Sequence, residues 1–431
     1  MRFLRSGLHF HKSGKQTPGF RLLSAQSAST IPTQPLFHGR TDGSHSLRTY
    51  LTYKNERFSH RWLRDCCQCP ACVHPSTLQK LHRTTDIPGD IALASEDSVC
   101  QTSTGVSIKW KDGHHSEYST SFLDTYSKTD RSAVFQPRPQ VRLWDRQAIE
   151  QTPDLFVDFR SLLHSSTRYS QAIEQLAHYG LLFVTDVPNE KTSDMDCELR
   201  KLAEYIGQLR RTFYGETWDV KNMPNSRNIA YTNVHLGLHM DLLYFEHPPR
   251  WQILHCLRNR VHGGKSIFVD SLKAAETLRI QYPSHFEALA WIPVSFHYNN
   301  DGHHLRYSHP TIELWPYPAD DAPPIRYVNY SPPFQAPLPP DTPDEFYAAL
   351  KTFVALLESP SMRYEYTLPE RTAVVFDNRR VLHARTAFTD LDPAGDAQSS
   401  TQEPNRWLKG CYLEADSILD NWRTRTGKMT P

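Results

Sequence analysis

Three of the 22 histidines in this 431-residue chain stand two positions before an acid: His115 before Glu117, His239 before Asp241 and His285 before Glu287. A His-x-Asp pair joined by one distant histidine can turn two imidazoles and a carboxylate toward one face of a metal. That is the donor set of mononuclear iron(II) oxygenases, which leaves the other face open for cosubstrate and O₂. With 47 acids in the chain, chance alone yields about two or three such pairs, so context must choose among them. His285 sits in the helical-looking SHFEALAW, and His115 lies beside a separate cysteine cluster. His239 and Asp241 stand in AYTNVHLGLHMDLLYFEHPP, ahead of the strand-like WQILHCL and a GGKS turn, as suits ligands at a strand end. Downstream, TAVVFDNRRVLHART sets His383 after a strand and a tight FDN turn, where it can supply the third donor; pairing with Asp377 is its structural alternative.

An iron site of this kind works with 2-oxoglutarate, a dicarboxylate whose far end suits a planar guanidinium. Arg406, in RWLKGCYLEA, fills that role better than Arg385, because a residue two past an iron ligand lies beside the metal rather than one cosubstrate length away. Ser266 of GGKS can add a hydroxyl to the same carboxylate. A second metal candidate lies upstream, where Cys66, Cys67, Cys69 and Cys72 crowd into one short segment. Cys67, Cys69 and Cys72 offer three thiolates to a structural zinc, and His74 and Cys66 are near neighbours for the fourth position.

The elements that must position these groups read as mostly β with flanking helices. Strand patterns fall at Leu181 to Val187, Trp251 to Leu257, Ser266 to Val269, Tyr364 to Leu368, Thr372 to Phe376 and Arg406 to Leu413. Helical patterns fall at Tyr169 to His178, Met195 to Ile206 and Phe346 to Glu358. Strands separated by long insertions with few helices predict a β-sandwich or barrel, since a doubly wound sheet needs regular helical crossovers. The expected organisation is a leader over 1–35, a small β-rich module over 36–130 and a large domain over 143–425, with a proline-containing polar linker from Ser127 to Pro139.

The bulk numbers exclude other classes. Forty-eight basic against 47 acidic residues leave a formal charge of +1 with no block of one sign, which argues against a nucleic-acid factor built on a cysteine-rich finger. A mean hydropathy of -0.58 and the lack of a long apolar run argue against a membrane span. The first acid is Asp42, and the preceding stretch carries Arg2, Arg5, Lys12, Lys15 and Arg21 among serines, so the leader reads as a mitochondrial presequence, with the cytoplasm as the alternative address.

The segments WLRDCCQCPAC, KWKDGHHSEY, FYGETWDV, RNIAYTNVHLGLHMD, ILHCLRNRVHGGKS, VVFDNRRVLHAR and RWLKGCYLEAD, in this order, resemble the γ-butyrobetaine dioxygenase and trimethyllysine dioxygenase family, within the broader taurine dioxygenase-like group. The resemblance runs from about Leu47 to Arg423 and implies a double-stranded β-helix (jelly roll) preceded by a small zinc-bearing domain. It implies iron on His239, Asp241 and His383, 2-oxoglutarate on Arg406, ascorbate as supporting reductant, His114 as the fourth zinc ligand, and a homodimer. It further implies an aromatic cage of Tyr214, Trp218, Tyr231 and Tyr412 for a trimethylammonium group, which has no N–H donor and is held by aromatic faces. Asn228 resembles the butyrobetaine enzyme, where an amide can bond a substrate carboxylate that an acid would repel. The expected reaction is therefore hydroxylation of γ-butyrobetaine to L-carnitine. Trimethyllysine, another small acid or amine, or a catalytically silent barrel that only binds ligands are the rival readings. Departures from the family pattern are Leu242 in place of a tyrosine, an insertion over 390–405 and the segment VNYSPPF without paired asparagines.

Overall fold

The computed structural model describes residues 37–40, 50–127, 139–222, 226, 228–315, 323–391 and 404–425. The leader, most of the linker and most of the 390–405 insertion lie outside them. The chain divides into two compact units, Met1–Thr129 and Asp130–Pro431.

In the N-terminal unit, two three-stranded antiparallel sheets carry short helices. The strand Glu56–Ser59 runs directly into the helix His60–Asp65, whose first turn is capped by the Ser59 hydroxyl accepting from the Trp62 amide. Leu51, Phe58, Leu63, Val106, Ile108, Trp110 and Tyr118 form the core. That core fixes both segments bearing the metal-type donors: the turn after the helix, with Cys67, Cys69 and Cys72, and the turn Trp110 to His114.

The larger unit is built on two sheets. Six strands run in the order Phe156–Asp158, Leu181–Thr185, Ala373–Asp377, Trp251–Asn259, Arg406–Leu413, Thr217–Lys221. Four run in the order Leu236–His239, Val381–Arg385, Ser266–Asp270, Tyr364–Tyr366. All pairings within them are antiparallel except that of the first two strands of the larger sheet. Phe183, Val374, Phe376 and Leu408 from the large sheet meet Phe268, Tyr364 and Val381 from the small one in a single core between them, the two-layer packing of a jelly roll. The opposite parity of the large sheet, Leu182, Val184, Ala373, Val375 and Ile253, packs under helices. Both faces are therefore buried, and this is why LLFVT and AVVFD show no polar alternation.

The helices that cover the sheet follow their sequence signals. Ser166–Tyr179 starts at Ser165, whose hydroxyl accepts from the Arg168 amide, and stops at Gly180, held at φ +72° where a side chain would be strained. It presents Tyr169, Ala172, Ile173 and Leu176 to the core. Glu198–Ile206 starts three residues later than the pattern from Met195 suggests, because the exposed Met195 belongs to the preceding loop. The expectation of few helices needs correction at Ser271–Gln281, which joins Pro283–Trp291, holding the helical-looking SHFEALAW, and Asp344–Leu357, expected from Phe346, in a helical layer over a hairpin, Pro293–Asn300 with His303–Pro310, that was not expected. Among the described residues no helix is long and apolar enough to cross a membrane.

Candidate active site

His239 closes the strand Leu236–His239, and in the small sheet it lies directly opposite His383 of Val381–Arg385. Adjacent antiparallel strands thus bring residues 144 positions apart in sequence to 4.1 Å between ring centres. The His239 Nδ1 lies 2.9 Å from the Gly237 carbonyl oxygen, so as its donor it leaves Nε2 with the free lone pair a metal needs. Asp241 follows two residues beyond the strand end, with Oδ1 3.5 Å from the His239 Nε2 and 4.0 Å from the His383 Nε2.

Two features hold Asp241 there, and the sequence reading missed one of them. Asn378, fully buried after the strand Ala373–Asp377, accepts from the Asp241 amide at 2.8 Å and donates to the carbonyls of Asp241 and Pro249. The chain then turns sharply at Leu242, which sits in the left-handed region at φ +60°. The Tyr412 hydroxyl donates to Asp241 Oδ2 at 2.8 Å. Burial works to raise the Asp241 carboxyl, but the His239 ring, His383 and the Tyr412 hydroxyl outweigh it and hold the carboxyl well below its usual range. Burial pushes His383 down to about 3, so its imidazole is neutral and available at ordinary pH. Two imidazoles and one carboxylate gathered on one wall suit a divalent cation with nitrogen and oxygen preference.

These groups open into a cavity of about 910 Å³, counted to its mouth. Every residue expected from the sequence in this domain lines it: His239, Asp241, His383, Arg406, Ser266, Tyr214, Trp218, Asn228, Tyr231 and Tyr412. Arg406 begins its strand with its side chain buried, its Nε without a hydrogen-bond partner and no carboxylate within ion-pair distance among the described residues. Burial lowers its guanidinium to about 10, which still leaves it charged. An unpaired buried cation is costly unless a ligand anion completes it. Gly264 of the GGKS turn, at φ +64°, lets the backbone pass close: a Cβ there would come within 3.1 Å of the Arg406 Nε. Arg385 is spoken for, donating to the carbonyls of Ala230, Thr232 and Val234 at 3.0, 2.7 and 2.8 Å. Asp377 pairs with Arg250 rather than with His383.

The aromatic residues converge, but in a different arrangement from four separate walls. Trp218 packs on Tyr412 with ring centres 4.2 Å apart and planes tilted by 32°, too close to enclose a trimethylammonium group between them. Gly410 permits that packing, since a Cβ there would lie 2.7 Å from the Trp218 ring. Asn228 caps the turn Ile229–Tyr231 through Oδ1 on the Ala230 amide, and its Nδ2 donates to the Tyr214 hydroxyl at 3.3 Å. Gln252, Tyr244, Leu242 and Phe334 also line the cavity and were not expected from sequence, because each sits in a motif that reads equally well as core.

In the N-terminal unit Cys67, Cys69, Cys72 and His114 come together, with the three sulfurs 3.3, 3.5 and 3.5 Å from the His114 Nε2. Those separations match the roughly 3.6 Å edge of a tetrahedron built on ordinary zinc–sulfur and zinc–nitrogen bond lengths. Arg64 approaches the Cys72 sulfur at 3.6 Å and pairs with Asp112, which accepts from the His114 amide. The near rivals are elsewhere: His74 holds its own turn through Ser76 and Thr77, and Cys66 stands outside the cluster.

Comparison with known proteins agrees with both halves. Residues 147–412 match the family described as taurine catabolism dioxygenase TauD, TfdA family, and residues 45–124 match the γ-butyrobetaine hydroxylase-like N-terminal family. The chain is 49% identical to "Dioxygenase str8" of Strobilurus tenacellus, over 93% of this chain and 91% of that protein. It is 31% identical to γ-butyrobetaine dioxygenase of Pseudomonas sp. (strain AK-1), over 84% and 88% of the two chains. To the mitochondrial trimethyllysine dioxygenase of Bos taurus it is 30% identical, over 86% and 84%. With a jelly roll that gathers two histidines, an aspartate and an unpaired arginine around one cavity, the chain belongs to the TauD, TfdA family and is a 2-oxoglutarate-dependent non-haem iron dioxygenase.

Proposed function

We propose that His239, Asp241 and His383 hold iron(II), that Arg406 receives the far carboxylate of 2-oxoglutarate, and that the enzyme hydroxylates a small organic molecule docked against the aromatic wall. The observation that carries this reading is Arg406, a buried guanidinium that lies over the Phe388 ring but has no carboxylate partner among the described residues, facing the same cavity as the three donors. When bound, iron with 2-oxoglutarate supplies the activation of O₂, with succinate and CO₂ as the co-products. The chain's own contribution is positional. Asn378 and Tyr412 fix the aspartate, the His239 contact with Gly237 sets the tautomer, and the apolar lining excludes water from the reacting C–H bond. Ser266, in register with Arg385 at the start of its strand, is assigned to the same carboxylate as Arg406.

A trimethylammonium substrate, with γ-butyrobetaine ahead of trimethyllysine, is the finer reading suggested by relatives with those names. Aromatic faces line the cavity, as such a cation requires, although Trp218 and Tyr412 lie too close together to enclose it between them. Against it, the Asn228 amide is occupied by its cap and by Tyr214 rather than held open for a carboxylate. For the N-terminal unit we propose a structural zinc on Cys67, Cys69, Cys72 and His114, supported by a donor set with no position left over.

The test is succinate release by protein loaded anaerobically with iron(II), then given 2-oxoglutarate, ascorbate and O₂. Replacing Arg406→Met should raise the KM for 2-oxoglutarate about 100-fold, the size expected for a charge-assisted bidentate contact. Unchanged KM would remove Arg406 from the cosubstrate site, and no succinate under any condition would favour a silent barrel.

A further inference from the structure

We infer that the substrate bound in this cavity is uncharged, flat and largely apolar, carrying a hydroxyl or similar neutral polar group rather than a carboxylate. This rests on the reading above, in which the iron donors and Arg406 are taken by metal and cosubstrate. The argument is an inventory of what remains. Besides those four residues, the only charged side chain lining the cavity among the described residues is Arg385, whose two terminal nitrogens donate to three backbone carbonyls. The Asn228 amide is engaged on both sides, and the Tyr412 hydroxyl is given to Asp241.

Beyond Nδ1 of His383 and the Nε atoms of the two arginines, the buried atoms of the described wall left without a hydrogen-bond partner are neutral: the Gln252 amide oxygen and the Tyr244 hydroxyl. Gln252 lies opposite Tyr412 across the large sheet, and its Oε1 is buried without a partner. The amide oxygen accepts from a hydroxyl, and the amide as a whole is neutral and gives a buried carboxylate no compensating charge. Ile229, Leu242, Phe334 and Trp218, which packs on Tyr412, line the same cavity. A zwitterion placed here would bury a carboxylate with no cation, and a cation–π contact on the exposed ring faces returns less than that burial costs. A planar apolar molecule instead finds ring faces to stack on and one amide to orient it.

The test separates charge from shape with compounds that share one body. Full-length protein, loaded anaerobically with iron(II) and 2-oxoglutarate, is titrated with 3-phenylpropan-1-ol, 3-phenylpropanoate, (3-phenylpropyl)trimethylammonium and γ-butyrobetaine, following tryptophan fluorescence and then succinate on admitting O₂. The alcohol should bind at least ~10-fold more tightly than each of the other three and stimulate succinate release, since they must shed hydration without gaining an ion pair. Equal or tighter binding of either phenylpropyl ion or of γ-butyrobetaine, carnitine formation, or no binding of the alcohol up to millimolar concentration would overturn the inference. Ile229→Lys, at a partly exposed position of the wall, should reverse the order between the alcohol and 3-phenylpropanoate; an unchanged order would show that a missing cation does not set the preference. Failure of the underlying reading looks different, because 2-oxoglutarate itself would then fail to bind or would be indifferent to Arg406→Met.

Discussion

Around His114, three sulfurs sit 3.3–3.5 Å from one imidazole nitrogen and complete a four-donor set; around Asp241, two imidazoles and a carboxylate gather on one side and a cavity occupies the other. The first arrangement leaves no direction for a reactant, while the second leaves several. Donor softness points the same way, since thiolates favour a closed zinc site and an oxygen-nitrogen set favours an iron that must exchange ligands. The surroundings differ too. Arg64 and Asp112 brace the cysteine cluster, whereas the iron-type cluster is followed by a left-handed Leu242 and faces an arginine that lacks a carboxylate partner among the described residues. A cluster that stabilises a fold is completed by the protein, and one that performs chemistry is left for ligands to complete.

The largest expected break in this comparison comes from His383→Ala. Losing one of three donors should lower iron-dependent succinate formation by about three orders of magnitude. Metal analysis of the same protein should still return about one equivalent of zinc. Loss of both metals together would mean that the variant misfolds and that the two clusters are not separable.

Cys72→Ser acts on the other side. A structural zinc contributes directly to folding, so its loss should cost the N-terminal unit several kcal/mol, on the order of 3 or more. Zinc content should fall to near zero, and hydrogen exchange over residues 50–127 should accelerate. Retention of zinc at full stoichiometry would point to Cys66 as a substitute ligand.

How much of this was legible beforehand depended on what each residue's role rests on. His239, Asp241, His383 and Arg406 were readable because their chemistry needs particular residue types beside strand and turn signals, and the structure sets all four around one cavity. Cys67, Cys69 and Cys72 were readable from spacing, yet His114 was reached by resemblance alone, since a 42-residue separation from Cys72 carries no local signal. Asn378 was invisible. It looks like an ordinary turn residue in FDN, and its role depends on Asp241 folding back over it from 137 positions away. Tyr412 was read as a wall of a cation cage, and its contact with Asp241 went unseen, because a sequence gives a side chain's type but not the direction of its hydroxyl. The hairpin of Pro293–Asn300 with His303–Pro310 was missed since its alternation is filled with histidines and asparagines that read as loop.

Tyr412→Phe sharpens the comparison at its finest point, with the smallest expected effect. It keeps the ring packed on Trp218 and removes only the hydroxyl that donates to Asp241. If that hydroxyl helps prepare the aspartate, iron(II) affinity should drop by about 10-fold, the usual cost of losing a partner that orients a metal ligand. The pH dependence tells positioning from packing. The Asp241 carboxyl is held below its ordinary range against the upward pull of burial, with the Tyr412 hydroxyl among the groups holding it down. A group depressed in this way is ionised above its folded pKa and gains its proton as pH falls through it. Without the hydroxyl that protonation begins at higher pH, so loss of iron on acidification should begin at a higher pH in the variant than in the parent, with the circular dichroism of the two unchanged. Superimposable loading curves would make Tyr412 a wall of the cavity and nothing more, and would leave Asn378 and His239 as the groups that prepare Asp241 for its metal.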